Sequence, residues 1–440
     1  MIKTIRWTLL MIPILVNAQS YRQILEHVRH ALPLQSAKQL EVAAIHEASA
    51  AKSRNLPMLE AHLQALHLKE TPTMILHFNL PGLEPEIPMG TKEQWVGDIT
   101  LSYPLFTGFA ITAMIDRSEY AKEMAHLKRL DLQRKLYLQT TRLCAAVYTA
   151  DKTLKAQRAA QEAIEKAYRK AKGLYDNGLL APADLYNIEA KKFAIEAQMT
   201  ATKTQKARFL NQLSYLVDTP VTDVESLADV TPSIDKEKTI RIATMGREDL
   251  KALEASLHMD RTRIEMAKSA YYPTVAVVAA VKKQGDTLRM NGDGYRNADQ
   301  SFLGMQASWN LFHGFGDQQR VEAARAKALA SKIALEDYRK RIRMELDNAF
   351  LDLDALLSRY RSARMQVKAQ EAYYRLTEGR FENQLASADE LSRAIADLAK
   401  AHAKEAALKA DIFVQKATIY LLGGLSLFEK TFLRPAVHRH

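Results

Sequence analysis

A chain of 440 residues with 47% hydrophobic and 26% charged residues can bury a core and does not read as disordered. Its formal charge of +11 is interleaved along helices, as where Arg339-Lys340-Arg341 precede Glu345 and Asp347; this is a solvated helix face rather than a nucleic-acid patch. A single cysteine, Cys144, excludes an internal disulfide and a cysteine-cluster metal site, and the scarcity of Gly (16) and Pro (13) favours helix.

Lys3 and Arg6 precede the apolar run from Trp7 to Val16, and Val16-Asn17-Ala18 complete the pattern of a secretory signal peptide over 1–18. The run is about half the roughly 20 residues of a spanning helix, and no cysteine follows it to carry a lipid anchor. Any entry of the mature chain into a membrane is therefore expected through β-strands.

Repeat 1 covers 19–217. Tyr21 to Arg54 is expected as an amphipathic helix kinked or interrupted at Pro33. Two alternating segments follow, predicting strands at about 57–68 and 95–105. In the first, Leu59, Ala61, Leu63 and Ala65 alternate with Glu60, His62 and Gln64; in the second, Gly97, Ile99, Leu101, Tyr103 and Leu105 alternate with Asp98, Thr100 and Ser102. About ten residues with one apolar face suit a tilted strand crossing a bilayer, and equally a half-buried strand of a soluble sheet. Beyond Leu105-Phe106-Thr107-Gly108-Phe109 a helical period runs to about Lys172. Its seam of Leu136, Thr140, Leu143, Val147, Ala150 and Leu154 steps alternately by 4 and 3, as in a left-handed coiled coil. Tyr175-Asp176-Asn177-Gly178-Leu179 ends it, and Pro182 with Asp184 starts a return helix reaching about Val217.

After a linker at 218–246 with little periodicity, the pattern recurs as repeat 2 over 247–422. Leu311-Phe312-His313-Gly314-Phe315 matches Leu105–Phe109 at an offset of 206 residues, and the tip at 381–391 matches the tip at 175–185 at the same offset. Upstream, Ala267-Lys268-Ser269 and Pro273 match Ala51-Lys52-Ser53 and Pro57 at an offset of 216. The difference falls in the strand-to-strand loop, where length is cheapest to vary. Strands are expected at about 273–283 and 301–312, with Trp95, Tyr103 and Trp309 as aromatic girdle positions. No Pro or Gly interrupts Asp317–Glu378, roughly 90 Å of helix at 1.5 Å per residue, and Ile342, Leu346, Ala349, Leu353, Leu356, Tyr360, Ala363 and Val367 form its seam. A tail at 423–440 closes the chain. Four strands cannot close a barrel, and an open edge is not viable in lipid. If these are membrane strands, several chains share one barrel.

The signal segment, the two-fold repeat, Pro57 and Pro273, and the two Leu-Phe-X-Gly-Phe strand exits resemble the TolC family of outer-membrane efflux proteins. Family tips read aromatic, then Gly three residues on, then acidic followed by apolar. Tyr175, Gly178, Asp184 and Leu185 match; at the second tip Phe381, Glu390 and Leu391 match, with Gln384 in place of glycine and no hydroxyl on Phe381. The resemblance implies a mixed fold: long α-helical coiled-coil hairpins forming an α-barrel, and four transmembrane strands per chain in a trimeric twelve-stranded β-barrel. The linker and the C-terminal stretch would form an equatorial belt. It implies an outer-membrane location and a homotrimer set in outer-membrane lipid. The partners would be a periplasmic adaptor (membrane fusion) protein and an inner-membrane pump of RND or ABC type, with no nucleic acid. The chain would be the exit duct of a tripartite efflux or type I secretion system, gated at the periplasmic tips by untwisting of the inner coiled coils.

At such a gate Glu390 and Asp389 are the first candidates for an acidic ring and Asp184 the second, although each also suits a helix N-terminus. Arg380 and Arg393 are expected to pair with acidic groups of the adjacent hairpin. His27 and His30, at i and i+3, read as surface histidines, as do His438 and His440 in the tail. There is no phosphate loop or nucleophile elbow, so no catalytic residue, cofactor or metal is expected. The alternative reading is a soluble periplasmic coiled-coil adaptor. Drug, metal and polypeptide export all stay open.

Overall fold

The computed structural model describes residues 18–76, 86–225, 227, 234–292 and 299–433. The signal peptide up to residue 17, the apex of the first strand-to-strand loop, His438 and His440 lie outside the described residues. The chain divides into two units: one holds 40–125 and 252–335, the other the remaining described residues.

The interruption expected at Pro33 falls just before it, at residues 29–31, and divides the first helical stretch into two helices. Helix α1 (Tyr21–Val28) opens with a capping box between Ser20 and Gln23, and α2 (Leu32–Ser53) begins with Pro33 at its second position, where a missing N–H costs nothing. Strands β1 (Met58–His67), β2 (Thr73–Ile75), β3 (Glu86–Pro88) and β4 (Glu93–Thr107) follow, then α3 (Ala110–Asp176) and α4 (Pro182–Val217). Next come α5 (Lys236–Gly246), α6 (Glu248–Lys268) with a 3₁₀ turn at Ser269–Tyr271, β5 (Thr274–Gly285), β6 (Phe302–Ser308), α7 (Gly316–Glu382), α8 (Ala388–Leu422) and α9 (Leu425–Phe432).

In the first unit, the four long strands form one antiparallel sheet in the order β1-β4-β5-β6, while β2 and β3 form a separate short hairpin. The alternation predicted from sequence lies in register. Leu59, Leu101, Ala279 and Leu303 stand in one row across all four strands, and Ala61, Ile99 and Val281 in another. His62, Asp98 and Lys282 make a row on the opposite face, with His62 Nδ1 3.2 Å from Asp98 Oδ2. The apolar face is uncovered: Leu59 is 69% exposed and Leu303 78%. Strand β4 continues past a bulge at Pro104/Phe106, because Phe106 and Thr107 find ladder partners in Val275 and Thr274. Strand β6, expected to reach residue 312, stops at Ser308, where its pairing with β5 ends.

In the other unit, the core gathers Ile24, Leu25 and Val28 of α1, Tyr137 and Cys144 of α3, Leu213 and Val217 of α4, and Phe413 and Tyr420 of α8. Helices α3 and α7 are each 67 residues long, and their bounds differ by 206 at both ends. Their seams turn inward: Leu136, Thr140, Val147, Ala150 and Leu154 are buried on α3, as are Ile342, Leu346, Ala349, Leu353, Ala363 and Val367 on α7. Burial pushes the Cys144 thiol up to about 12, so it is an apolar filler. Two stretches expected to be irregular are helical. Within the linker, Asp235 caps α5 by accepting from Lys238 N at 3.0 Å, and Ile240 and Ala243 turn inward. Within the tail, α9 buries Leu425, Phe428 and Phe432, the last two rings stacked 4.5 Å apart.

Between α5 and α6 the chain turns at Arg247, whose guanidinium is fully buried. Its Nε donates to Asp249 Oδ1 at 2.7 Å, Nη2 to the Tyr338 hydroxyl at 3.1 Å and Nη1 to Glu345 at 3.3 Å; Arg134 Nη2 reaches Asp249 Oδ2 at 3.0 Å. Burial alone would raise the Asp249 carboxyl, but the hydrogen bond from Arg247 and the charge of Arg134 outweigh it and hold the group below the usual range. Because that folded-state value is depressed, the stabilisation is present above the unfolded carboxylate value of about 3.9 and is lost as pH falls through the folded value. Arg247→Met, which leaves Arg134 as the remaining cationic partner of the part-buried Asp249 carboxylate, is expected to cost about 1.5–3 kcal/mol, read as an earlier denaturant midpoint by circular dichroism. Asp249→Asn is expected to flatten the loss of stability on acidification. An unchanged midpoint for Arg247→Met would show that the network is dispensable.

Candidate functional site at the helix tips

Each long helix ends in the same backbone motif. Leu179 N donates to Leu174 O (2.8 Å) and Gly178 N to Tyr175 O (2.8 Å); 206 residues on, Leu385 N donates to Arg380 O (2.7 Å) and Gln384 N to Phe381 O (3.1 Å). These are paired Schellman bonds, and Asn177 and Asn383 add side-chain bonds to the Gly173 and Gly379 carbonyls. The motif needs a left-handed residue, and Gly178 supplies it at φ 72°. Gln384 adopts the same conformation at φ 62° despite its side chain, a strain of roughly 1–2 kcal/mol.

The returns start differently. Pro182 opens α4 after Ala181, which offers no side-chain cap, whereas the Ser387 hydroxyl accepts from Glu390 N at 3.1 Å to open α8. Ile164, Ala167 and Ala171 of α3 pack with Leu185 and Ile188 of α4, Phe381 of α7, and Leu391 and Ile395 of α8. Phe381 is thus buried, whereas its counterpart Tyr175 is 38% exposed. Tyr374, packed against the same cluster, donates to Glu378 at 2.7 Å.

The tip charges do not pair as the sequence suggested. Arg380 Nη1 bonds Glu390 Oε1 at 3.1 Å and Nη2 the Leu385 carbonyl at 3.0 Å, while Arg393 pairs with Asp389 one turn back on α8. Within the chain both arginines therefore serve their own hairpin, because an i,i+4 partner or one across the same short tip needs no second element to be placed. The hairpins are joined instead by Lys170 and Asn187. Lys170 Nζ donates to the last carbonyls of α7, Phe381 O at 3.3 Å and Glu382 O at 2.7 Å, and lies 5.3 Å from the Phe381 ring centre. Asn187 Nδ2 donates to Asp389 Oδ1 at 3.3 Å. A cation at a helix C-terminus meets the orphan carbonyls and the negative end of the dipole. The signal for both was the repeat itself: Leu376 and Arg393 stand where a faithful copy would place Lys170 and Asn187. Among the described residues, no hydrogen bond or ion pair engages the Asp184 carboxylate.

The aromatic candidates lie on or beside the sheet. Trp95 sits opposite Ala65 and Gly285, and Tyr103 opposite Val277, on the apolar face of β4. Eight residues at roughly 3.3 Å each separate them by about 26 Å. Trp309 lies just past β6, where its indole donates to Tyr271 O at 3.3 Å. Among the described residues, no group of three His, Cys, Asp or Glu is placed to hold a metal, and no helix is long and apolar enough to cross a membrane.

The outer membrane efflux protein family model matches residues 28–217 and 239–425, in two blocks that together take in both repeats. The fold matches the outer-membrane channel OprN with a TM-score of 0.76 at 18% identity, over 92% of this chain and 89% of that one. It matches the outer membrane protein VceC from Vibrio cholerae with a TM-score of 0.75 at 16% identity, over 92% and 96% of the two chains. The Campylobacter jejuni CmeC outer membrane channel gives a TM-score of 0.77 at 14% identity, over 92% and 85%. No curated protein matches by sequence. With both repeats matched by one family model, the chain belongs to the outer membrane efflux proteins, the TolC family.

Proposed function

We propose that three copies of this chain form an outer-membrane channel, the exit duct of a tripartite efflux or type I secretion assembly. The carrying observation is the four-stranded sheet, with one continuous uncovered apolar face and two outer edges, on β1 and β6, that lack a ladder partner among the described residues. Lipid would cover the face, and further copies would satisfy the edges. At a barrel strand tilt of about 40° the separation of Trp95 from Tyr103 projects to about 20 Å along the membrane normal, within an apolar band about 25 Å tall. A soluble adaptor would leave the same face in water, a large exposed patch with no occupant. The partners that fit this role are a periplasmic adaptor and an inner-membrane pump of RND or ABC type.

The helix tips are the proposed gate. Lys170 and Asn187 fasten the two hairpins of one chain, and the Schellman ends keep each tip short and rigid. In a symmetric assembly each tip carboxylate is repeated around the axis, where it attracts cations. Asp389 and Glu390 are both engaged within their own chain. Asp184, which is unengaged, therefore becomes the preferred ring residue, ahead of the two ranked first from sequence.

Single-channel recording in planar bilayers tests this reading. Lys170→Met keeps the aliphatic stem and removes the bonds to α7; at about 1.5 kcal/mol for a hydrogen bond from a charged group, the open fraction should rise about tenfold. Arg380→Ala, which breaks a half-exposed pair within one hairpin, should change it by less than about fivefold. Asp184→Asn should weaken block by trivalent cations from the tip side, while Glu390→Gln should leave it nearly unchanged. Absence of any conductance from the reconstituted chain would overturn the channel reading.

A further inference from the structure

The repeat also specifies how neighbouring copies would join. First strands are related by an offset of 216 and second strands by 206, and the sheet obeys those offsets residue by residue. The β1–β4 pairs Met58↔Ser102, Leu59↔Leu101 and His62↔Asp98 become Thr274↔Ser308, Val275↔Ala307 and Val278↔Gly304, all of which are observed β5–β6 pairs. The one junction left without a counterpart inside the chain is β4–β5. Carried forward by the same offsets, it gives a pairing of β6 with β1 of another copy.

Resting on the trimeric reading above, we infer that β6 of one chain pairs antiparallel with β1 of the next in a defined register, with Ser308 opposite the partner's His62 and Gln306 opposite the partner's Gln64. The observed pairs Ser102↔Val278 and Thr100↔Ala280 dictate these positions. The register keeps the faces consistent, as two even offsets applied to an observed in-face pairing require. Met305 meets the partner's Ala65, Ala307 the partner's Leu63 and Trp309 the partner's Ala61 on the apolar side, while Asn310 meets the partner's Glu60 on the polar side. A slip of one residue would reverse every side chain.

Two further observations fit. Strand β4 runs on to Thr107 only because β5 pairs with it there, and the equivalent stretch after Ser308 lacks that neighbour within the chain. At the strand exit, Phe106 and Phe109 pack edge-on against Tyr272, and Gly108 (φ 61°) lies so close that a Cβ would stand 2.6 Å from the Ser269 carbonyl. Phe312 and Phe315 repeat the ring pair, 5.4 Å apart at 88°, and Gly314 repeats the conformation at φ 56°; yet both rings are 69% exposed and a Cβ on Gly314 would meet nothing within 4 Å. The counterpart of Tyr272 is Leu56, itself 61% exposed. Phe312 and Phe315 thus close on the partner's Leu56, and Gly314 is the position where the partner's Ser53 carbonyl approaches.

Cysteine pairs test the register in the full chain carrying Cys144→Ser, oxidised in isolated outer membranes. Directly opposite residues lie within disulfide reach, and residues displaced by two along the strand do not. His62→Cys with Ser308→Cys, and separately Gln64→Cys with Gln306→Cys, should each give a covalent trimer that collapses to monomer on reduction. The displaced pairs, Glu60→Cys or Gln64→Cys with Ser308→Cys, should not. The native mass of each variant is read before oxidation. A trimer linked only through the displaced pairs, or through none of the four, overturns the register and leaves the channel reading intact. A monomer by native mass overturns both.

Discussion

An unpaired strand edge has no place in hydrocarbon, because each buried N–H and C=O left without a partner costs several kcal/mol. The sheet of this chain has an apolar face wide enough for lipid and two such edges. That conflict cannot be settled within one copy. In the proposed trimer a closed barrel would remove it, and the symmetry of that assembly would repeat whatever the rest of the chain does.

The helices follow from the same requirement. A hairpin repeated within each chain, and in the proposed trimer again around an axis, would need to end at one level, and equal helices of 67 residues with a constant 206-residue offset meet that demand. Within this regularity the differences between the copies stand out. Lys170 faces the end of α7 with no cationic counterpart in repeat 2, and Gln384 adopts a backbone conformation that glycine provides in repeat 1. The tip is therefore built from near-identical backbones carrying unlike side chains, so the contacts of its two hairpins are not interchangeable.

Much of this was legible in the sequence because the periods are long and strong. The strands begin within two residues of their expected starts, and most seam positions turn inward, with Leu143, Leu356 and Tyr360 only half-buried. The short helices α5 and α9 were missed for different reasons. Helix α5 spans only three turns and contributes few apolar residues. In α9, Leu425, Phe428 and Phe432 had helical spacing, but the stretch read as a tail because nothing local showed what it packs against. The end of β6 was missed because strand length depends on a neighbour, and sequence pattern does not count neighbours. The partners of Arg380 and Arg393 were not legible, since near and far carboxylates compete within about 1 kcal/mol at an exposed site. Lys170 and Asn187 were legible only as departures from the repeat.

The central claim is that this chain completes its sheet by joining copies of itself in the outer membrane. The most direct measurement is the native mass of the mature chain extracted in mild detergent from a separated outer-membrane fraction. Three times the monomer mass is expected, with negligible monomer. A monomer recovered in the soluble periplasmic fraction would contradict it, because the apolar face and both sheet edges would then exist in water.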